Sequence, residues 1–197
     1  MTAEQSPLGR VSDVAAERGL RICVVESLTS GRLASTIGAG ADAGSWFAGG
    51  IVAYLTDVKE SLLGLTPGTD PCSPECAEHL AASALRLFDA DVCISTTGVG
   101  GPDPEGGHEP GTVYVGWATG DGVGHRRLAL SGDPQEVLDE TVDTAMRLLA
   151  FHAEGIRPAG PRRSGPESSA SAAAEDDAED DAQGDGAQGD GAAEPTA

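Results

Sequence analysis

The sequence predicts an α/β fold: a mixed β-sheet with helices on both faces, forming a single compact domain, followed by a disordered acidic C-terminal tail. Three observations predict it. Short β-branched runs alternate with amphipathic segments, one pair of runs is joined by a Gly-Asp-Gly turn, and large apolar residues cease after Ile156. A chain of 197 residues is long enough to bury a real core.

The elements follow in order. Ser6-Pro7 reads as an N-cap with proline at the first helical position, and Leu8, Val11 and Val14/Ala15 repeat at helical spacing up to Gly19. Residues 21–25 form a buried strand. A second helix starts near Thr29 and Ser30 and turns Leu33, Ala34 and Ile37 to one face. Residues 50–54 read as a second strand and 56–63 as a short helix. Ser73-Pro74 repeats the cap signal, ahead of a stripe of Cys76, Leu80, Ala84 and Leu87. Residues 91–96 make a third strand, and 111–118 pairs antiparallel with 125–130 through the turn at 120–122. Asp133-Pro134, with Glu136 three residues past the cap, opens a last amphipathic helix carrying Leu138, Thr141, Ala145 and Leu148.

Residues 1–156 therefore make the domain. Residues 157–197, rich in Pro, Gly, Ser, Ala, Asp and Glu, bury too little apolar surface to offset ordering entropy, so they are expected to be a disordered, solubilising tail.

The formal net charge of −20 repels phosphate backbones, and no Lys/Arg stripe offsets it, so nucleic acid is excluded as a partner. No apolar stretch approaches the ~18 residues of a membrane span, and the polar start reads as no signal peptide; a cytoplasmic protein is expected. Cys23 and Cys93 lie in apolar runs and read as core residues. Cys72 and Cys76 have no histidine at zinc-like spacing, so neither a metal nor a cofactor is expected. The expected partner is a small-molecule substrate, and a homodimer is compatible with a domain of this size.

Three stretches could carry chemistry. Glu26-Ser27-Leu28-Thr29-Ser30-Gly31 runs from a strand through a hydroxyl-rich turn into a helix, where ligands of open α/β sheets collect; the same hydroxyls could simply cap the helix. The second stretch ends in Tyr54-Leu55-Thr56-Asp57-Val58-Lys59. Lys59 is the only lysine in a chain that otherwise uses arginine, and a desolvated lysine, unlike arginine, can serve as a general base. In the third, Thr97-Gly98-Val99-Gly100-Gly101 leaves a strand through glycines that let backbone N–H groups approach a ligand. It is neither a Walker A nor a Rossmann loop, since no Gly-Lys-Ser/Thr follows it.

Taken together, these stretches resemble the CinA C-terminal domain family of nicotinamide-nucleotide amidohydrolases (PncC type), in its stand-alone form. Further matching motifs are Ser45-Trp46-Phe47, Leu62-Leu63-Gly64, Ser73-Pro74-Glu75 and Pro110-Gly111-Thr112-Val113-Tyr114, in order over roughly residues 8–153. The resemblance implies deamidation of nicotinamide mononucleotide to nicotinate mononucleotide and ammonia by a Ser/Lys mechanism. Ser27 would be the nucleophile, Lys59 the base, and Tyr54 the group that orients or relays between them. Glu26, Thr29, Ser30, Gly31, Thr97, Gly98, Gly100 and Gly101 would line the substrate. The chain departs from the family pattern at Ser30, where glycine is usual, and over residues 132–138, where relatives often carry arginines. Arg32, Arg126 and Arg127 are the candidates to replace them. The alternative is a non-catalytic family member that binds a small ligand or a protein partner.

Overall fold

Strand alternation and helix capping account for most of the architecture of the computed structural model, which describes residues 6–157. Helix α1, Pro7–Arg18, starts as expected: the Ser6 hydroxyl accepts the Gly9 amide, and Gly19 stops the helix in the left-handed region at φ 64. Strand β1, Ile22–Glu26, is buried along its whole length. Helix α2, Arg32–Gly38, begins three residues later than Thr29, because residues 27–31 form a tight turn first.

A one-turn helix that hydrophobic periodicity does not announce, α3 at Ala43–Trp46, carries the Trp46 indole into the core, where its N–H donates to the Ala41 carbonyl. Strand β2 is Phe47–Val52 rather than 50–54. Its glycines let it lie close on β1, since a side chain at Gly50 would meet Val24 Cγ2 at 2.7 Å. Tyr54 and Leu55 fall outside the strand, each 62% exposed.

Helix α4 occupies Thr56–Leu63 and α5 Pro74–Leu87, the latter capped by the Ser73 hydroxyl on the Cys76 amide. The buried stripe of α5 holds Cys76, Leu80 and Ala84 but not Leu87, which is exposed. Strand β3 (Val92–Gly98), β4 (Thr112–Thr119) and β5 (Gly122–Ala129) complete the sheet, with Gly120-Asp121 as the hairpin turn. Because pairing continues to Thr119–Gly122, β5 begins three residues before the expected 125. Helix α6, Pro134–Gly155, has a full capping box between Asp133 and Glu136.

The sheet order is β2-β1-β3-β4-β5, with β1 parallel to β2 and β3, and β4 antiparallel to β3 and β5. Helices cover both faces, as the sequence predicts. Ile22, Val24, Val92, Ile94, Val113 and Val115 pack against α1, α2 and α6. The alternate residues Cys23, Val25, Cys93 and Ala118 pack against α5 and α4. All four cysteines are free and buried.

The chain leaves β1 toward β2 on one side and β3 toward β4 on the other. A switch of this kind opens a crevice at the carboxyl ends of β1 and β3. No helix among the described residues is long and apolar enough to cross a membrane. The expected tail, apart from Arg157, lies outside the described residues.

One close approach sets where α5 sits. Gly116 of β4 lies directly under the α5 backbone: a Cβ there would stand 2.5 Å from Ser95 Oγ and 2.6 Å from the Ala77 carbonyl carbon. The Ser95 hydroxyl donates to the Ala77 carbonyl at 2.6 Å and pins the helix at that distance. Gly116→Ala is expected to cost about 1–3 kcal/mol by overpacking, read as a lower urea midpoint at unchanged slope.

Candidate active site

The crevice holds a cavity of about 270 Å³ at the carboxyl ends of β1, β2 and β3. Ser27 and Leu28 reach it from the end of β1, Tyr54, Thr56 and Lys59 from the turn after β2 and from α4, and Thr97 and Gly98 from the end of β3. The backbone holds Ser27 there, its N–H donating a hydrogen bond to the Thr96 carbonyl at 2.9 Å. Ser27 is 8% exposed, and its hydroxyl makes no hydrogen bond among the described residues. The N–H of Leu28, one residue on, likewise finds no acceptor among them.

Lys59 is fully buried, at 1% exposure. Its ammonium nitrogen donates to the Tyr54 carbonyl at 2.9 Å. Burial lowers its pKa from the ordinary 10.5, with the nearby Cys76 and Glu105 pulling the other way. Lys59 and Ser27 line the same cavity, with no direct hydrogen bond between them. Tyr54 contributes its carbonyl to Lys59; its exposed phenol does not bridge the two groups.

The thiols beside this pair are poor nucleophiles. Burial pushes Cys76 up to about 11, against the pull of Lys59 and the Thr97 hydroxyl, and pushes Cys72 up to about 11 with help from Asp70.

Four of the expected ligand-lining residues instead build the turn. Glu26 is wholly buried, and its carboxyl oxygens accept the backbone N–H groups of Gly31, Leu33 and Ala34 at 3.0, 3.0 and 2.7 Å. It satisfies the start of α2 from within, so those amides are not open to a ligand. Thr29 is buried and its hydroxyl pairs with Thr96 Oγ1 at 2.7 Å, tying the turn to β3. Ser30 is exposed, holds φ 50, and does not reach the cavity. Gly31 serves as the N-cap of α2 at φ 99. By contrast Thr97, Gly98, Gly100 and Gly101 do line the cavity, and Thr97 donates to the Pro71 carbonyl at 2.5 Å.

The cavity also has walls that motif reading did not assign. Asp70, Asp103, Glu105 and His108 face it. His108 Nε2 pairs with Asp70 Oδ2 at 2.7 Å, while Asp70 Oδ1 accepts the Cys72 amide at 2.8 Å. Glu105 and His108 form an isolated backbone bridge, so the glycine-rich loop is folded back on itself instead of lying open. Asp103 and Glu105 follow the Thr97–Gly101 stretch in sequence, but nothing in their spacing says that they line the same cavity as Lys59. Of the substitute arginines, Arg32 is engaged by Asp139 and Gln135, and neither Arg126 nor Arg127 lines the cavity.

Residues 5–152 match the CinA C-terminal domain family. The chain belongs to that family. This CinA domain is 44% identical over 121 residues to a Geobacillus kaustophilus protein bearing the name competence-damage inducible protein, covering 59% of this chain and 29% of that one. A Bacillus subtilis protein of the same name is 41% identical over 104 residues, 51% of this chain and 25% of the other. The chain thus spans only about a quarter to a third of the curated relatives it matches.

Solved structures agree over nearly their full length. A CinA superfamily protein from Klebsiella pneumoniae superposes with TM-score 0.72 at 28% identity, covering 76% of this chain and 97% of that one. One from Escherichia coli gives 0.68 at 28% identity, covering 77% and 93%.

The turn itself is testable. Glu26→Gln places an NH2 group against three amide donors and leaves one or more unpaired. A loss of about 2 kcal/mol is expected, seen as a melting temperature several degrees lower.

Proposed function

We propose that this CinA-family domain is an amidohydrolase of small carboxamides, with Ser27 as nucleophile and Lys59 as base. The reference substrate implied by the family resemblance is nicotinamide mononucleotide, which would give nicotinate mononucleotide and ammonia. The observation that carries the proposal is a lone lysine buried to 1% exposure on the wall of the cavity that also holds a serine hydroxyl with no hydrogen bond among the described residues.

Desolvation favours the neutral amine, whose lone pair can take a proton while one N–H stays on the Tyr54 carbonyl. Ser27 Oγ attacks the carboxamide carbon as its proton passes to Lys59 Nζ. Collapse of the tetrahedral intermediate breaks the C–N bond, and the proton returns from Lys59 to the leaving nitrogen, which departs as ammonia. Water then attacks the Ser27 ester, again losing its proton to Lys59, and the acid is released as Oγ is reprotonated. The free Leu28 N–H, one residue after Ser27, is placed in sequence where a strand–turn–helix nucleophile keeps an oxyanion donor. Tyr54 acts as a positioning residue through its carbonyl.

The absent direct Ser27–Lys59 hydrogen bond favours one other reading: a binding module that uses the same cavity without turnover.

Ammonia release by wild type, Ser27→Ala, Lys59→Ala and Lys59→Arg separates the two. Each variant is expected to lose at least about a hundredfold in kcat, because removing one member of a unit disables it. Lys59→Arg fails with the others, since arginine keeps charge but accepts no proton. Substantial turnover by Lys59→Arg would rule out the base role, and no turnover by wild type would leave the binding module.

The pKa direction fixes two pH effects. Turnover should rise with pH through the lowered pKa of Lys59. The folded state also binds fewer protons at Lys59 than the unfolded chain, so stability from this group grows as pH rises from the lowered pKa toward 10.5. Lys59→Met is expected to abolish turnover, to remain at least as stable as wild type at pH 7, and to lose that rise in chemical-denaturation curves.

A further inference from the structure

One titratable pair on the cavity wall has no part so far in the Ser27–Lys59 chemistry. His108 lines the cavity, and its Nε2 meets Asp70 Oδ2 at 2.7 Å. A carboxylate only accepts, so the shared hydrogen belongs to Nε2, and in the neutral ring Nδ1 keeps its lone pair. Nδ1 makes no hydrogen bond among the described residues. A carboxylate placed in this way fixes the tautomer and orientation of an imidazole and leaves its other nitrogen open to a reactant.

Both partners are held from behind. Asp70 Oδ1 accepts the Cys72 amide at 2.8 Å, and the adjoining Pro71 carbonyl accepts the Thr97 hydroxyl, at the end of β3, at 2.5 Å. The His108 backbone exchanges two hydrogen bonds with Glu105, at 2.9 and 3.1 Å. The Glu105 carboxylate in turn acts on Lys59, so the loop that carries His108 stands near the lysine. At about 270 Å³ the cavity lies just under the usual ligand-site range of about 300–1,000 Å³. A group on any of its walls is therefore close to whatever Ser27 holds.

The hydrolytic water needs such a group. It carries two hydrogens, whereas the neutral Lys59 amine has a single lone pair and already commits one N–H to the Tyr54 carbonyl. We infer that His108, oriented by Asp70, positions the water that hydrolyses the Ser27 ester, its Nδ1 accepting one O–H of that water while the other gives its proton to Lys59. The inference rests on the amidohydrolase reading. The water oxygen bonds to the acyl carbon, and the proton taken by Lys59 passes to Ser27 Oγ as the ester C–O bond breaks. The hydrogen held by Nδ1 stays with the acid. Formation of the ester and release of ammonia consume no water, so His108 serves only the second half of the reaction.

The test uses the full-length protein and nicotinamide mononucleotide, with ammonia followed from the first turnover and the intact protein weighed by mass spectrometry. His108→Gln is expected to leave the first turnover of ammonia close to wild type and to lower steady-state turnover about a hundredfold, as misplacing a reactant does. The acyl group should then accumulate on Ser27. Hydroxylamine, whose nitrogen attacks the ester without first losing a proton, should restore turnover as the hydroxamate. Asp70→Asn is expected to give the same pattern more weakly, because an amide can turn its NH2 toward Nε2 and leave the ring proton on Nδ1. Full steady-state turnover in His108→Gln, equal loss in first and later turnovers, or no acyl-enzyme in either variant would overturn the inference and leave the pair as a clip between loops. Neither ammonia nor acyl-enzyme from wild type would overturn the amidohydrolase reading, and this inference with it.

Discussion

Glu26 ends a buried strand, and its carboxyl group has nowhere to go but the start of the next helix. A wholly buried carboxyl is costly unless its oxygens are hydrogen-bonded, and an α-helix start is a set of N–H groups in want of acceptors. Each solves the other's problem. The three bonds to Gly31, Leu33 and Ala34 fix the length and direction of the turn between β1 and α2. That turn carries Ser27, and the Thr29–Thr96 hydroxyl pair fastens it to β3. The position of the serine in the crevice is therefore a consequence of satisfying polar groups beneath it.

The same logic of enforced burial produces the lysine. Val58 and Leu63 turn the inner side of α4 toward α5, and Lys59 on that side is closed in with Cys76 next to it. Its head group retains one protein acceptor, the Tyr54 carbonyl at the end of the turn that starts the helix. An arginine at this position could not relieve the burial by losing its proton; a lysine can. Among the described residues every arginine is exposed or half-exposed, and the physical difference between the two cations explains why the one lysine sits here.

Charge ties the cavity to the rest of the molecule. Acidic residues outnumber basic ones along the chain, serve the starts of α2 and α6 through Glu26 and Asp133, and line the cavity at Asp70, Asp103 and Glu105. Burial of Lys59 lowers its pKa and so weakens the one cationic group on the cavity wall.

The sequence by itself determined the periodic and capped parts of this protein. Ser6-Pro7, Ser73-Pro74 and the Asp133–Glu136 box each start a helix where local hydrogen bonding demands one. Alternation in β1 and β3 sorts residues to the two faces, and both Ser27 and Lys59 stood out by position or by rarity. The one-turn helix α3 and the early start of β2 were not legible, because Trp46 and the paired glycines owe their places to packing against β1 and α1. Tertiary structure alone decided the division of labour in residues 26–31. A strand's alternation aims Glu26 at α2, and only the folded helix start shows that its carboxyl is consumed there, with Thr29 consumed by β3. It also decided the cavity wall. Asp70, Asp103, Glu105 and His108 come from connections far from β1 in sequence, and they line one cavity with Lys59, where the His108–Asp70 pair and the Thr97–Pro71 bond clip those connections together. Contacts between distant loops leave no period or local motif in a chain, since each side chain is chosen for a partner that only the closed fold supplies.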